Sequence, residues 1–109
     1  MKKSETVLRK DGISIGEFDI SAEGFYRNII TIPFNVKKNR ILYIDVKGIP
    51  KVDVALADGR GSGIFSRQNI SDDCIGPIPT SDNKEMGLLL GVYPGDKAIV
   101  DVEIRMGKE

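Results

Sequence analysis

The sequence contains no histidine, no tryptophan and a single cysteine, Cys74. Without histidine there is no Ser-His-Asp triad, no Cys-His dyad, no HExxH zinc helix and no imidazole to move protons near neutral pH. Without tryptophan the strongest aromatic platform for cations, and a common anchor of binding hot spots, is missing. One cysteine excludes an internal disulfide and any CxxC site. Neither sign of charge is in excess, because 16 Lys and Arg balance 16 Asp and Glu. A nucleic-acid binder that works by counterion release needs a basic surplus, so nucleic acid is not an expected partner. Long apolar runs are lacking too. The longest uncharged stretch, residues 86–95, is far shorter than a membrane-spanning helix, and no membrane insertion is expected. The start Met1-Lys2-Lys3-Ser4-Glu5 leads into polar and charged residues with no apolar core. It carries no secretory signal and points to the cytoplasm, unless the chain is excised from a secreted protein.

What the chain does contain is β-branched residues and turn formers. Its 109 residues suit one domain. It holds 15 Ile and 8 Val against 6 Leu and 4 Ala. Branching at Cβ stiffens a side chain, disfavours the helix and suits a pleated surface. With 12 Gly and 5 Pro to supply turns, and no convincing helical periodicity, the chain reads as all-β.

Residues 1–11 are polar and are expected to form a loosely ordered arm, with Asp11-Gly12 a turn and residues 12–106 the single domain. Residues 13–20 read as a strand whose phase changes at Gly16, as at a bulge. A turn follows at residues 21–24. Ile30, Ile32, Phe34 and Val36 then share one face, with Pro33 marking an edge strand or a bulge. Leu42, Ile44 and Val46 alternate with Tyr43, Asp45 and Lys47. Gly48-Ile49-Pro50 breaks that strand, and Val52, Val54 and Leu56 begin another. Residues 66–85 break the rhythm and read as a long connection of the kind that is often functional. Residues 86–93 form an apolar strand. After a Pro94-Gly95-Asp96-Lys97 turn, Ala98, Val100, Val102, Ile104 and Met106 face one way. About seven to eight short strands, each with one core face, suit a two-sheet antiparallel β-sandwich of jelly-roll type, with an open barrel as the alternative.

Few residues point to chemistry. The run Asp58-Gly59-Arg60-Gly61-Ser62-Gly63 could present backbone N–H groups to a phosphate, but it lacks the Lys-Ser/Thr and following helix of a P-loop and reads as a flexible hairpin loop. Asp72, Asp73 and Asp82 fall in the long connection and offer oxygens to calcium, although no EF-hand order occurs and acidic residues are ordinary in turns. No catalytic residue and no cofactor other than calcium is expected. A glycosidase needs two carboxylates at a set separation in a cleft, which the sequence does not place, so a small carboxylate hydrolase is the weakest alternative. Cys74 follows two aspartates that disfavour its thiolate. Asn69-Ile70-Ser71 is a glycosylation sequon only for a chain that enters a eukaryotic secretory pathway. Tyr43 lies on the polar face of its strand and Tyr26 beside a turn, where either ring could meet a partner or a sugar.

The segments Ile41-Leu42-Tyr43-Ile44-Asp45-Val46-Lys47-Gly48 and Lys51-Val52-Asp53-Val54-Ala55-Leu56-Ala57-Asp58 resemble the central strands of GOLD domains and of bacterial pre-peptidase C-terminal domains. The ending from Gly87 to Val102 is similar to theirs as well. The resemblance covers residues 28–106. It implies a jelly-roll-like β-sandwich that binds or assists without catalysis of its own, usually in a secreted or lumenal setting.

The expected function is therefore a non-catalytic interaction or accessory module. Its partner would be a protein or a second copy of the chain. The expected contact surface is the 66–85 stretch, with Ile75, Ile78 and Tyr43 as partner-binding residues and the acidic side chains as a rim. A calcium- or carbohydrate-binding β-sandwich, with Asp72, Asp73 and Asp82 as metal ligands, is the alternative.

Overall fold

The structure is a computed structural model that describes residues 4–16, 28–93 and 95–108. Among these residues six antiparallel strands form one sheet: β1 (Glu5–Gly16), β2 (Ile29–Asn35), β3 (Arg40–Ala57), β4 (Gly63–Pro79), β5 (Glu85–Gly91) and β6 (Lys97–Lys108). No helix occurs among the described residues. The strand order is β1-β6-β3-β5-β2, and β4 pairs the other edge of β3. The sheet curls into a half-barrel that brings its end strands β1 and β2 near each other.

The all-β expectation holds, and the curl is closer to the open barrel than to two separate sheets. The difference in strand count has a local cause. Residues 42–47 and 52–57, expected as two strands, are two halves of β3. Leu42, Ile44, Val46, Gly48, Val52, Val54 and Leu56 all point inward, so the alternation passes through Gly48-Ile49-Pro50 without a change of phase. The chain bends there instead of stopping. Gly48 makes room for the bend, since a Cβ on it would lie 2.8 Å from Val52 Cγ1. At the bend β3 changes neighbours: β6 pairs it from Arg40 to Ile49, and β5 from Asp53 to Ala57.

The 66–85 stretch is not a loop. Its first two-thirds belong to β4, which pairs β3 along its length. Ile70, Ile75 and Ile78 of β4 are buried in the core, at spacings of five and three, and Phe65 packs against it five residues earlier. Register shifts account for that spacing, because each slips one strand past the other by an odd number of residues, one at three places and three at the bend, and so resets which side faces inward. Ile75 stands opposite Ile44 and Ile78 opposite Leu42, and they are only 5% and 7% exposed. They are core residues, which corrects the expectation that they form an exposed contact.

Residues 5–11, expected as an arm, are the first half of β1 and pair with β6. Asp11-Gly12 is not a turn but an insertion in that strand. The register steps from Lys10↔Val102 to Ile13↔Val100, Gly12 takes φ 67°, and its N–H donates to Asp101 Oδ1 at 2.7 Å. The expected continuation of this strand to residue 20, the turn at 21–24 and Tyr26 lie outside the described residues. Pro33 does sit on an edge strand, since among the described residues β2 pairs only with β5. Val36 N–H donates to Lys84 O and Val92 N–H to Asn28 O, so even-numbered residues of β2 bond to β5. The N–H that Pro33 lacks therefore falls on the edge away from β5, where its absence discourages another strand from adding.

Candidate binding surface

The inward residues of β2, β3, β5 and β6 are almost all apolar and buried, so what the sheet presents to a partner comes mainly from the outward residues, its edges or its ends. The register sorts the outward residues into rows, and the two halves of the sheet differ sharply.

On the half built from β1, β6, the first part of β3 and β4, the rows are charged. Arg9, Glu103, Asp45 and Cys74 lie in one row, and Asp101, Lys47 and Asp72 in the next. Thr6, Arg105 and Tyr43 form a third. Arg105 Nη2 is 3.0 Å from Asp45 Oδ2, and Arg9 pairs with Asp11 at 3.5 Å. Tyr43 is half-buried here, its ring against the site of Gly76, where a Cβ would lie 2.8 Å from Tyr43 Cδ1. Tyr43 and the isoleucines Ile75 and Ile78 thus lie on opposite sides of the sheet and form no common contact.

On the half built from β2, β5, the second part of β3 and the start of β4, the rows are small and uncharged at their centre. Thr31, Leu89, Ala55 and Ser66 form one, and Pro33, Gly87, Ala57 and Gly63 the next. Ile29, Gly91 and Asp53 make the third, with the Ile29 side chain largely exposed. A shallow hollow of about 230 Å³ lies on this face among Ile29, Ala55, Ser66, Arg67 and Leu89. Glycine and alanine leave the backbone close to the surface, so a flat partner can approach it closely. Sequence inspection misses this face because four strands each give it only one or two small residues.

The expected metal ligands are not gathered. Asp72 stands opposite Lys47 on the charged face, and Asp73 Oδ1 accepts the backbone N–H of Cys74 at 2.9 Å. Asp82 lies in the turn after β4, with Asp58, Arg60 and Asn83 around a separate hollow. Among the described residues no three acidic or cysteine side chains are placed to share a metal ion. The long separation follows from β4 being extended, since each strand residue advances the chain by about 3.3 Å.

The glycine-rich loop is likewise closed to a phosphate. Asp58 Oδ1 accepts the N–H groups of Arg60 and Ser62 at 2.8 and 2.9 Å, and Asn83 Oδ1 accepts that of Gly59 at 3.2 Å. Gly61 N–H donates to Asp58 O at 3.1 Å. The donors that a phosphate would need already have acceptors. Among the described residues no helix is long and apolar enough to cross a membrane. No protein-family model matches the chain, and no curated protein matches its sequence.

Proposed function

We propose that the chain is a non-catalytic interaction module that docks a protein partner on the uncharged outer face of β2, β5 and the second half of β3. The observation that carries this reading is the division of the outward rows. One half of the sheet is covered by alternating charges, while the other presents Thr31, Leu89, Ala55, Pro33, Gly87 and Ala57 with no charge among them. Depletion of charge at the centre of a patch is a mark of protein interfaces. The rim is polar, with Glu85, Asp53 and Arg67 exposed or half-exposed around it, as in a docking patch that is apolar at the centre. The strand edges are a weaker candidate. Pro33 blunts β2, two register shifts interrupt β1, and β4 is broken by several.

We read the half-barrel as a relative of the jelly-roll-like sandwiches that GOLD and pre-peptidase C-terminal domains form. The support is β3 itself, which bends and is paired by β6 on one side of the bend and by β5 on the other, as if serving two sheets. An accessory, partner-binding role fits that class.

The test compares the proteins retained by three immobilised forms: the wild type, Leu89→Arg on the proposed face, and Glu103→Arg on the charged face. Partners held by the wild type and by Glu103→Arg but released by Leu89→Arg support the reading. The same set held by Leu89→Arg overturns it. A concentration-dependent dimer that Leu89→Arg dissociates would assign the face to a second copy of the chain instead.

A further inference from the structure

An open hollow of about 770 Å³ lies beside the bend of β3, where the β5–β6 turn passes Asn69. We propose that this hollow binds a neutral oligosaccharide, with Tyr93 as the stacking surface and Asp53, Asn69 and Lys51 as partners for its hydroxyls. The site adjoins the docking face and shares Asp53 and Gly91 with its margin, but Leu89, where that face is tested, does not line it.

Three observations carry the assignment. The first is Tyr93. The alternation of β5 continues past its end, with Val92 buried and Tyr93 outward and 76% exposed. An aromatic ring left in water contributes little to the fold, and its face suits the C–H face of a sugar ring. The second is Gly91. It stands opposite Asp53 in the β3–β5 register, two residues before Tyr93, so a position without a side chain separates the ring from the carboxylate. A floor of that kind lets a ligand approach the backbone. Asp53 is held in place there, because its Oδ1 accepts the N–H of Asn69 at 3.0 Å. Asn69 takes φ 59°, a left-handed conformation that asparagine tolerates better than most residues.

The third is the balance of charge. Lys51 and Lys97 line the hollow together with Asp53 and Asp96. An anion would meet two carboxylates and a cation two ammonium groups. A neutral, hydroxyl-rich ligand satisfies both, donating to the carboxylates and accepting from the ammonium and amide groups.

The test is an amide-resolved NMR titration with four neutral disaccharides, cellobiose, maltose, lactose and mannobiose, beside a sulfated disaccharide. The proposal expects at least one neutral sugar to shift the amides of Asp53, Asn69, Gly91 and Gly95. Tyr93→Ala should weaken that binding by about three- to tenfold, the scale of a lost aromatic contact. Gly91→Val should abolish it by filling the floor. A Cβ at Gly91 meets its nearest atoms, Asn28 O and Ile29 Cγ1, at 3.4 Å, so this variant should keep its fold, as its melting curve will show. Should Gly91→Val unfold, Tyr93→Ala, at an exposed position, carries the test alone. No shift with any neutral sugar, shifts that survive Tyr93→Ala, or a response to the sulfated sugar alone would each overturn the assignment.

Discussion

Asp45 and Arg105 meet across the β3–β6 pairing, Oδ2 to Nη2 at 3.0 Å, and both reach Cys74 on the neighbouring β4. Arg105 Nη2 lies 3.9 Å from Cys74 Sγ, and Asp45 is directly opposite Cys74 in register. The cysteine is exposed, yet its pKa is raised above the ordinary thiol value. The largest cause is the hydrogen bond to the Asp45 carboxylate, with burial and the aspartate's charge adding to it and Arg105 opposing it.

Reactivity at Cys74 should follow from that arrangement. The thiolate is the nucleophile, so a raised pKa slows alkylation at neutral pH. The native protein should react with iodoacetamide more slowly than the urea-unfolded chain. Its rate should still be climbing at alkaline pH where the unfolded thiol has levelled off. Asp45→Asn removes the carboxylate and should speed the native reaction several-fold. Equal rates for the native protein and Asp45→Asn would show that the carboxylate does not control the thiol.

The second prediction concerns Ile75 and Ile78. Were they an exposed contact, serine at both positions would spare the fold. Buried opposite Ile44 and Leu42, they should not tolerate it. Truncating a buried isoleucine costs about 2–5 kcal/mol, and a serine hydroxyl without a partner adds to that. For a domain of this size each single variant should lower the melting temperature by roughly 10–30 °C. A double variant that melts like the wild type would return both residues to the surface.

How much of this was legible in the sequence depends on whether a residue's side of the sheet is set locally. β5, β6 and both halves of β3 alternate strictly, so their core residues can be read from spacing alone. β4 cannot be read that way, because Ile70, Ile75 and Ile78 fall at spacings of five and three once the register slips. The same slips make the stretch resemble a loop. Gly48-Ile49-Pro50 misleads in the opposite sense: residues that usually end a strand here bend one. The candidate surfaces are harder still. Leu89, Ala55 and Thr31 become neighbours only through three strands' pairing. Tyr93 reads as the end of an apolar strand, and only the pairing of Gly91 with Asp53, two residues before it, brings it beside a hollow.

The bend gives a third prediction. A methyl group on Gly48 would lie 2.8 Å from Val52 Cγ1 and 3.0 Å from the Val52 backbone nitrogen. The side chain can move, but the backbone can do so only by opening the bend. Gly48→Ala should therefore destabilise by about 1–3 kcal/mol, the usual scale of overpacking. Gly63→Ala is the control, since nothing lies within 4 Å of its added Cβ. In urea unfolding Gly63→Ala should sit near the wild type and Gly48→Ala well below it. Adding Val52→Ala to Gly48→Ala should recover only part of the overpacking strain. A Gly48→Ala protein as stable as the Gly63→Ala control would mean that the bend has slack.

The last prediction is at Thr80, the buried polar side chain that joins two turns. Its Oγ1 accepts the N–H of Arg40 at 2.8 Å and donates to Lys37 O at 2.7 Å. Its backbone N–H donates to Arg40 O at 2.8 Å, and its carbonyl accepts both the N–H and the Nδ2 of Asn83. One residue thus ties the β2–β3 connection to the β4–β5 turn. Thr80→Val keeps the shape and removes the hydroxyl, leaving Arg40 N–H and Lys37 C=O without that partner. Buried groups stranded in this way cost about 1–3 kcal/mol each, so Thr80→Val should lose about 2–6 kcal/mol. Thr80→Ser keeps both bonds and gives up only a methyl group, a loss of about 1 kcal/mol. Amide exchange separates the two cases further: Arg40 should exchange faster in Thr80→Val and stay protected in Thr80→Ser. If valine leaves both stability and Arg40 protection unchanged, the two turns are held by their backbone bonds alone and the hydroxyl is dispensable.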